Sequence, residues 1–172
     1  MKHITPIVHE TAFIAEGAKI VGGVTIKKEA SVWYNSVIRS DIPGTEIIIG
    51  ERTNIQDGTV VHVEFGVSTY IGNDVTIGHN CIIHGCTIED GCLIGMGAII
   101  LSGAYIKKGS IIGAGAVVKE NSIVEAHTLM VGIPAKEAKK LADTSQEIAV
   151  ENCKKYLEKT KRYKNNEYGI YK

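Results

Sequence analysis

The sequence predicts an all-β solenoid, a stack of three-sided coils closed by a C-terminal α-helix. Two observations carry that prediction. Aliphatic residues recur every six positions, and a small or β-branched residue stands four places after almost every one. The aliphatic series runs Ile14, Ile20, Ile26, Val32, Ile38, pauses, and resumes at Ile49, Ile55 and Val61. It pauses again, continues through Ile71, Ile77 and Ile83, takes one step of five, and runs from Ile88 by sixes to Val124. The second column includes Ala18, Val24, Ala30, Ser36, Cys81, Thr87, Cys92, Ala98 and Ala104. A period of six matches neither the 3.6 of a helix nor the simple alternation of a hairpin ladder. It suits short strands in which each hexapeptide makes one side of a triangular coil, with the aliphatic on the axis and the small residue near the corner.

Taken along the chain, residues 1–134 form the solenoid with an N-terminal cap, and 135–172 a helical segment that packs on it. Gly50, Gly72, Gly78, Gly95 and Gly113 each follow an axial aliphatic, where a corner or close packing disfavours a side chain. The repeat gives way at Val131–Lys136, a turn containing Pro134. Thr144-Ser-Gln-Glu147 then reads as a capping box. Ala149, Cys153, Tyr156, Leu157, Thr160 and Tyr163 lie on one stripe at helical spacing, as in an amphipathic helix docked on the coils. The last residues, KNNEYGIYK, read as a loosely held and disordered tail.

Lysine plus arginine equals aspartate plus glutamate at 19 each, so no electrostatic footprint for nucleic acid or anionic membrane exists. No apolar run approaches the roughly 20 residues of a membrane span, and the N-terminus shows no secretory pattern. The expectation is a cytoplasmic protein. The four cysteines form no C-x-x-C pair and read as reduced: Cys81 and Cys92 as core fillers, Cys86 one place earlier in its repeat at an interface, and Cys153 in the tail.

Three of the six histidines crowd between Val61 and Gly85. The register sorts them. Ile38, Val61 and Ile83 stand three repeats apart, on one face, so Arg39, His62 and His84 form an outward column one strand spacing (~4.8 Å) apart. Two such imidazoles can share a metal ion. His79 follows Ile77 on the preceding face, in register with Asp57, and should not reach the same point from one rigid chain. A neighbouring copy could supply it, which predicts a homotrimer with three sites shared between subunits. His3, His9 and His127 have no supporting constellation.

The ordered set Arg39-x-Asp41, Asn54-x-Gln56-Asp57, His62, His79-x4-His84 resembles the γ-class carbonic anhydrase family. The repeat from about Ile14 to Val131 is similar to its superfamily, the hexapeptide-repeat left-handed parallel β-helices. The resemblance implies His62, His79 and His84 as ligands of Zn2+, with Fe2+ or Co2+ as alternatives, and a trimer that shares them. Three histidines on zinc leave a position for water, whose pKa falls to roughly 7, so that hydroxide attacks carbon dioxide to give bicarbonate. It further implies that Gln56 and Asn54 orient hydroxide and substrate. Arg39 and Asp57 would tie subunits together, with Asp41 in the same network. Tyr156 and Tyr163 would border the pocket. The chain departs from the family's active members in its short VEFGVSTY link, where Glu64 is the only acid before Ile71, and in having Ile42 after Asp41 where those members carry glutamate. Both departures predict slow proton transfer. The competing readings are an acyl-CoA thioesterase or acyltransferase on the same fold, and a catalytically silent trimer stapled by metal.

Overall fold

The computed structural model describes residues 4–169. Consecutive strands fall on consecutive faces of a three-sided parallel solenoid. The first face runs from Ile7–Val8 through Val24–Ile26, Ile47–Ile49 and Thr69–Ile71 to Ile123–Val124. The second runs from Phe13–Ile14 through Ser31–Val32, Asn54–Ile55, Thr76–Ile77 and Leu93–Ile94 to Thr128–Val131. The third runs from Lys19–Gly22 through Val37–Ser40, Val60–His62 and Ile82–His84 to Val117–Val118. Backbone amides donate straight to the next coil, as in Gln56 N to Ile77 O at 3.0 Å.

Register follows the six-residue pattern: Val32 pairs with Ile55, Ile55 with Ile77, Ile38 with Val61 and Val61 with Ile83. From Ile26 to Val124 the axial column is sealed from solvent, with Ile14 and Ile20 partly buried at its open end, and each fully buried isoleucine contributes about 1.5–3 kcal/mol by burial. Strand Ile7–Val8 pairs with Val24–Ile26 and carries the period one step before Ile14. The five-residue step corrects the small-residue column. Cys86 is buried beneath the corner, where Thr87 was expected, and Thr87 is half-buried on its strand. Cys86 is therefore a core filler rather than an interface residue. All four cysteines are buried and unpaired.

A third column emerges at the corners. Three residues after the axial aliphatic the backbone turns left-handed, at Gly17, Glu29, Asn35, Arg52, Gly58, Asp74, Asn80, Gly91 and onward to His127. Glycine, asparagine and aspartate supply most of these positions because they tolerate positive φ. The glycines directly after the aliphatic do other work. A Cβ on Gly78 would stand 2.7 Å from Met96 N, and one on Gly95 2.5 Å from Ala114 N, so they allow coils to stack at full closeness.

Beyond residue 134 the second sheet continues, since Lys136–Lys140 folds back antiparallel on Thr128–Val131. The helix spans Gln146–Lys164 and buries Ala149, Cys153, Tyr156 and Thr160 against the second face. The capping box does not form. Ser145 is the N-cap, and its hydroxyl donates instead to Gly109 O at 2.6 Å while receiving His127 Nδ1 at 2.9 Å. Phe13, Trp33 and Tyr163 pack together at the helix's far end. The tail is held through Tyr168, 4.8 Å from Tyr163 between centroids, with the Arg162 guanidinium over its ring. Residues 170–172 of the expected loose tail, and His3, lie outside the described residues. Among the described residues no helix is long and apolar enough to cross a membrane.

Candidate metal centre

On the third face, Arg39 pairs with His62 and His62 with His84 in successive coils, each directly after a sealed axial residue. The two imidazoles therefore project outward side by side, with His62 Nδ1 3.2 Å from His84 Nε2. The outer nitrogen of each ring is held. His62 Nε2 donates to Asp41 Oδ1 at 3.2 Å, and His84 Nδ1 meets Ser102 Oγ at 2.9 Å. Arg39 donates to the other oxygen of Asp41. Hydrogen bonds from Arg39 and then His62 hold the Asp41 carboxyl below the usual carboxylate range. The carboxylate thus fixes the His62 tautomer, leaving a lone pair on Nδ1.

His79 lies on the second face, in register with Asp57 one coil before. Its Nδ1 donates to Asp57 Oδ2 at 2.8 Å, and Asp57 Oδ1 accepts the backbone N–H of Tyr34 at 3.2 Å. The Nε2 lone pair of His79 is again the free one. Among the described residues no three His, Cys, Asp or Glu side chains of one chain converge tightly enough to hold an ion. The structure gives a pair on one face and a third imidazole on another.

The donor set fits a tetrahedral divalent metal. Two nitrogens each ~2.0–2.1 Å from such an ion lie about 3.3 Å apart. The His62–His84 separation is 3.2 Å. Each of the three rings has one nitrogen anchored by a carboxylate or hydroxyl, the arrangement that orients metal-ligating histidines, while the second nitrogens of His62 and His84 meet only each other.

The remaining candidates divide between the two faces. Arg39 and Asp41 accompany the pair. Glu64 does too, at the start of a tight hairpin whose N–H and C=O groups exchange with Val67. Its Oε1 accepts Phe65 N at 2.7 Å, and its Cβ lies against Gly85, next to His84. Asn54, Gln56, Asp57, Tyr156 and Tyr163 accompany His79. Asn54 and Gln56 are buried, with Gln56 Nε2 donating to Asn54 Oδ1 at 3.0 Å. Arg39 and Asp57, expected to join subunits, are each engaged within the chain, by Asp41 and by His79.

Two concavities open beside His79. One, of about 340 Å³, is walled by Trp33, Tyr34, Asp57, Tyr156, Lys159, Tyr163 and Tyr168. Burial first, then Asp57, pushes the Tyr156 hydroxyl above its ordinary value. The other is an apolar groove of about 560 Å³ between the helix and the second face, running from Gln56 over Gly78, Gly95 and Gly113. Those glycines stand where Trp33 and Gln56 stand in earlier coils, so the groove begins where the column loses its side chains.

Sequence reasoning missed Ser102, Tyr34 and Cys153. Ser102 lies one coil beyond His84 but one place past Leu101, the residue that the register sets against His84. Cys153 was placed in the tail. No signal identified its partner across the fold, Asn54.

A model of the bacterial transferase hexapeptide (six repeats) matches residues 68–101 and 85–120. The chain is 39% identical over 160 residues to a protein of Geobacillus kaustophilus named "Carbonic anhydrase", covering 93% of this chain and 87% of that one. It is 58% identical over 73 residues to a Methanocaldococcus jannaschii protein named "Probable carbonic anhydrase". That match covers 42% of this chain and less than half of the relative, 45%. A crystal structure of a hexapeptide transferase family protein from Anaplasma phagocytophilum superposes with a TM-score of 0.87 at 39% identity, covering 93% of each chain.

Proposed function

This chain belongs to the hexapeptide-repeat, left-handed β-helix family of γ-class carbonic anhydrase-like proteins, and on that premise we propose that it hydrates carbon dioxide reversibly to bicarbonate. The observation that carries the reading is the tethering of all three histidines: Asp41, Ser102 and Asp57 each hold one ring nitrogen, and the other nitrogens of His62 and His84 face each other at 3.2 Å, the spacing of two ligands of one ion. His62 and His84 of one subunit, with His79 of an adjacent copy, would hold a divalent metal, zinc by preference of the donor set. When bound, the metal supplies hydroxide at neutral pH by lowering the pKa of water.

The chain's own residues do the rest. Gln56, held by Asn54, offers an amide group beside His79 to orient the nucleophile and the linear substrate. Asp41 is taken up by Arg39 and His62, which leaves Glu64, beside His84, as the acid for passing a proton outward, but its carboxylate is bound to its own loop backbone, which favours slow turnover. The trimer is supported by an apolar ladder on the third face. Val60 and Ile82 pair in successive coils two residues before His62 and His84, and Val21 heads the Arg39–His62–His84 column itself; all three are about two-fifths exposed, an apolar surface suited to burial against a copy.

A second reading, hydrolysis of acyl thioesters, is favoured by the groove that leads from Gln56 and His79 over three glycines. Metal analysis with stopped-flow hydration on protein purified without oxygen separates them. Metal-replete trimer that hydrates no carbon dioxide above buffer while hydrolysing an acyl-CoA overturns the first reading. His79→Ala should lose the metal and weaken the trimer, and a variant retaining stoichiometric metal refutes the shared site. Metal that holds the trimer together without either activity would mark a stapling role.

A further inference from the structure

We propose that Cys153, on the buried stripe of the terminal helix, is a positioning residue that decides which end of the Gln56 carboxamide faces the groove beside His79. The proposal rests on the hydration reading for its consequence, but not for its geometry. Asn54 is sealed under the helix, and its Nδ2 donates to Thr76 Oγ1 at 2.9 Å and to Cys153 Sγ at 3.3 Å. Thr76 Oγ1 also receives Asn152 Nδ2 at 3.2 Å, so two amides use its lone pairs. Its own hydrogen is left to turn outward, where Cys153 Sγ lies at 3.6 Å. The sulfur is thus the acceptor at the end of this network. Burial keeps the thiol protonated by pushing it up to about 11, so it acts as a neutral group.

Both Asn54 amide hydrogens are thereby engaged, and only Oδ1 remains to face Gln56. Gln56 must answer with Nε2, which it does at 3.0 Å. No partner among the described residues takes Gln56 Oε1. No buried side-chain oxygen among them lacks a partner, so Oε1 is open to the groove that Gln56 lines with His79 and Tyr156. The site therefore meets an acceptor, which receives the hydroxyl hydrogen of an attacking water or hydroxide and directs its lone pair toward substrate. If Asn54 turned over, Gln56 would present a donor that competes for that same lone pair. The sequence places Cys153 about a hundred residues from the pair it sets, and the helix brings it there.

The test uses metal-loaded full-length trimer with Cys153→Ala, which removes the acceptor, and Cys153→Ser, which restores one. Stopped-flow hydration and metal content are measured together with hydrogen exchange of the Asn54 and Gln56 side-chain amides by NMR on selectively labelled protein. Expected are a fall in kcat of about tenfold for Cys153→Ala with KM and metal content unchanged, recovery in Cys153→Ser, and loss of protection of one Asn54 amide hydrogen in Cys153→Ala alone. Equal losses in both variants, or a fall that tracks metal content, overturn the proposal. If wild-type trimer proves silent in hydration, the hydration reading fails and the exchange data alone decide: unchanged Asn54 protection in Cys153→Ala refutes the positioning role.

Discussion

Replacing Gly78 by alanine should strain the stack at the residue before His79, and Gly113→Ala provides an internal reference. Both glycines follow an axial isoleucine on the second face, and neither needs a positive φ. Alanine therefore fits the backbone of each. The new methyl carbon at position 78 would stand 2.7 Å from Met96 N and 3.0 Å from Gly95 C and Ile94 O. All three are backbone atoms of the next coil and cannot rotate away. At position 113 the nearest atom is Val131 Cγ1 at 3.0 Å, on a side chain that is partly exposed and can turn. Losing a glycine stabilises both variants by about 0.4–1 kcal/mol through the unfolded chain, and that contribution cancels in the comparison. What remains is the overpacking cost at position 78, about 1–3 kcal/mol. With a urea slope of ~2 kcal/mol/M, the two midpoints should differ by roughly 0.5–1.5 M at equal protomer concentration, Gly78→Ala lower. The displacement should also reach His79, so metal content falls in Gly78→Ala and holds in Gly113→Ala. Coincident midpoints would show that coil spacing can relax and that the glycine column is not the reason the coils stack so closely.

Other consequences are measured more simply. Asp57→Asn keeps a hydrogen-bond partner for His79 but removes the carboxylate that orients its ring, and metal affinity should fall ten- to a hundredfold in chelator competition. Ser102→Ala should lower it through His84 in the same assay, while leaving the unfolding free energy in urea within about 1 kcal/mol of wild type. Native protein at pH 8 should show no thiol reactive to a disulfide reagent, and four in denaturant. Burial seals all four sulfurs and pushes the thiols up to about 11 for Cys81 and Cys153 and about 12 for Cys86 and Cys92. Partial denaturation should expose Cys153 first, because undocking one helix suffices.

The solenoid was legible because one axial aliphatic and one small residue per side are required of every coil, and eighteen repetitions of a requirement make a pattern. Register across long gaps was legible for the same reason: the two interruptions lengthen a corner without removing a side, so counting sides still places Arg39, His62 and His84 in one column. What escaped was contact between elements that obey different periods. The helix stripe predicted that Cys153 would be buried, but nothing in either period says which outward residue of the second face it meets. The capping box failed for a related reason: the helix starts one residue later than Thr144 would set it, with Ser145 as N-cap, and Ser145 is held by the carbonyl of Gly109 on a coil that the local motif cannot see.

The corners explain why the candidate centre lies where it does. After most axial residues the third position is left-handed, and that residue closes the triangle tightly. After Ile20, Ile38, Val61 and Ile83, all on the third face, it is not; the left-handed glycines there, Gly22, Gly44, Gly66 and Gly85, fall out of step. A tight corner leads the chain straight to its next side, so the residue after the aliphatic has little beside it. A relaxed corner lets the chain run on past the edge of the face. There it brings Asp41 to His62 and Glu64 to the flank of Gly85, while Ser102 approaches His84 from the first coil in which the regular corner returns, at Gly103. The second face supplies its imidazole without such a lapse, because Asp57 already stands one coil before His79 in strict register. One half of the centre is therefore built by keeping the repeat and the other by breaking it. Restoring the regular corner by deleting residues from the Glu64–Val67 hairpin should preserve the fold yet separate Glu64 from His84. A shortened variant that kept full proton-transfer rate would show that Glu64 is not the relay.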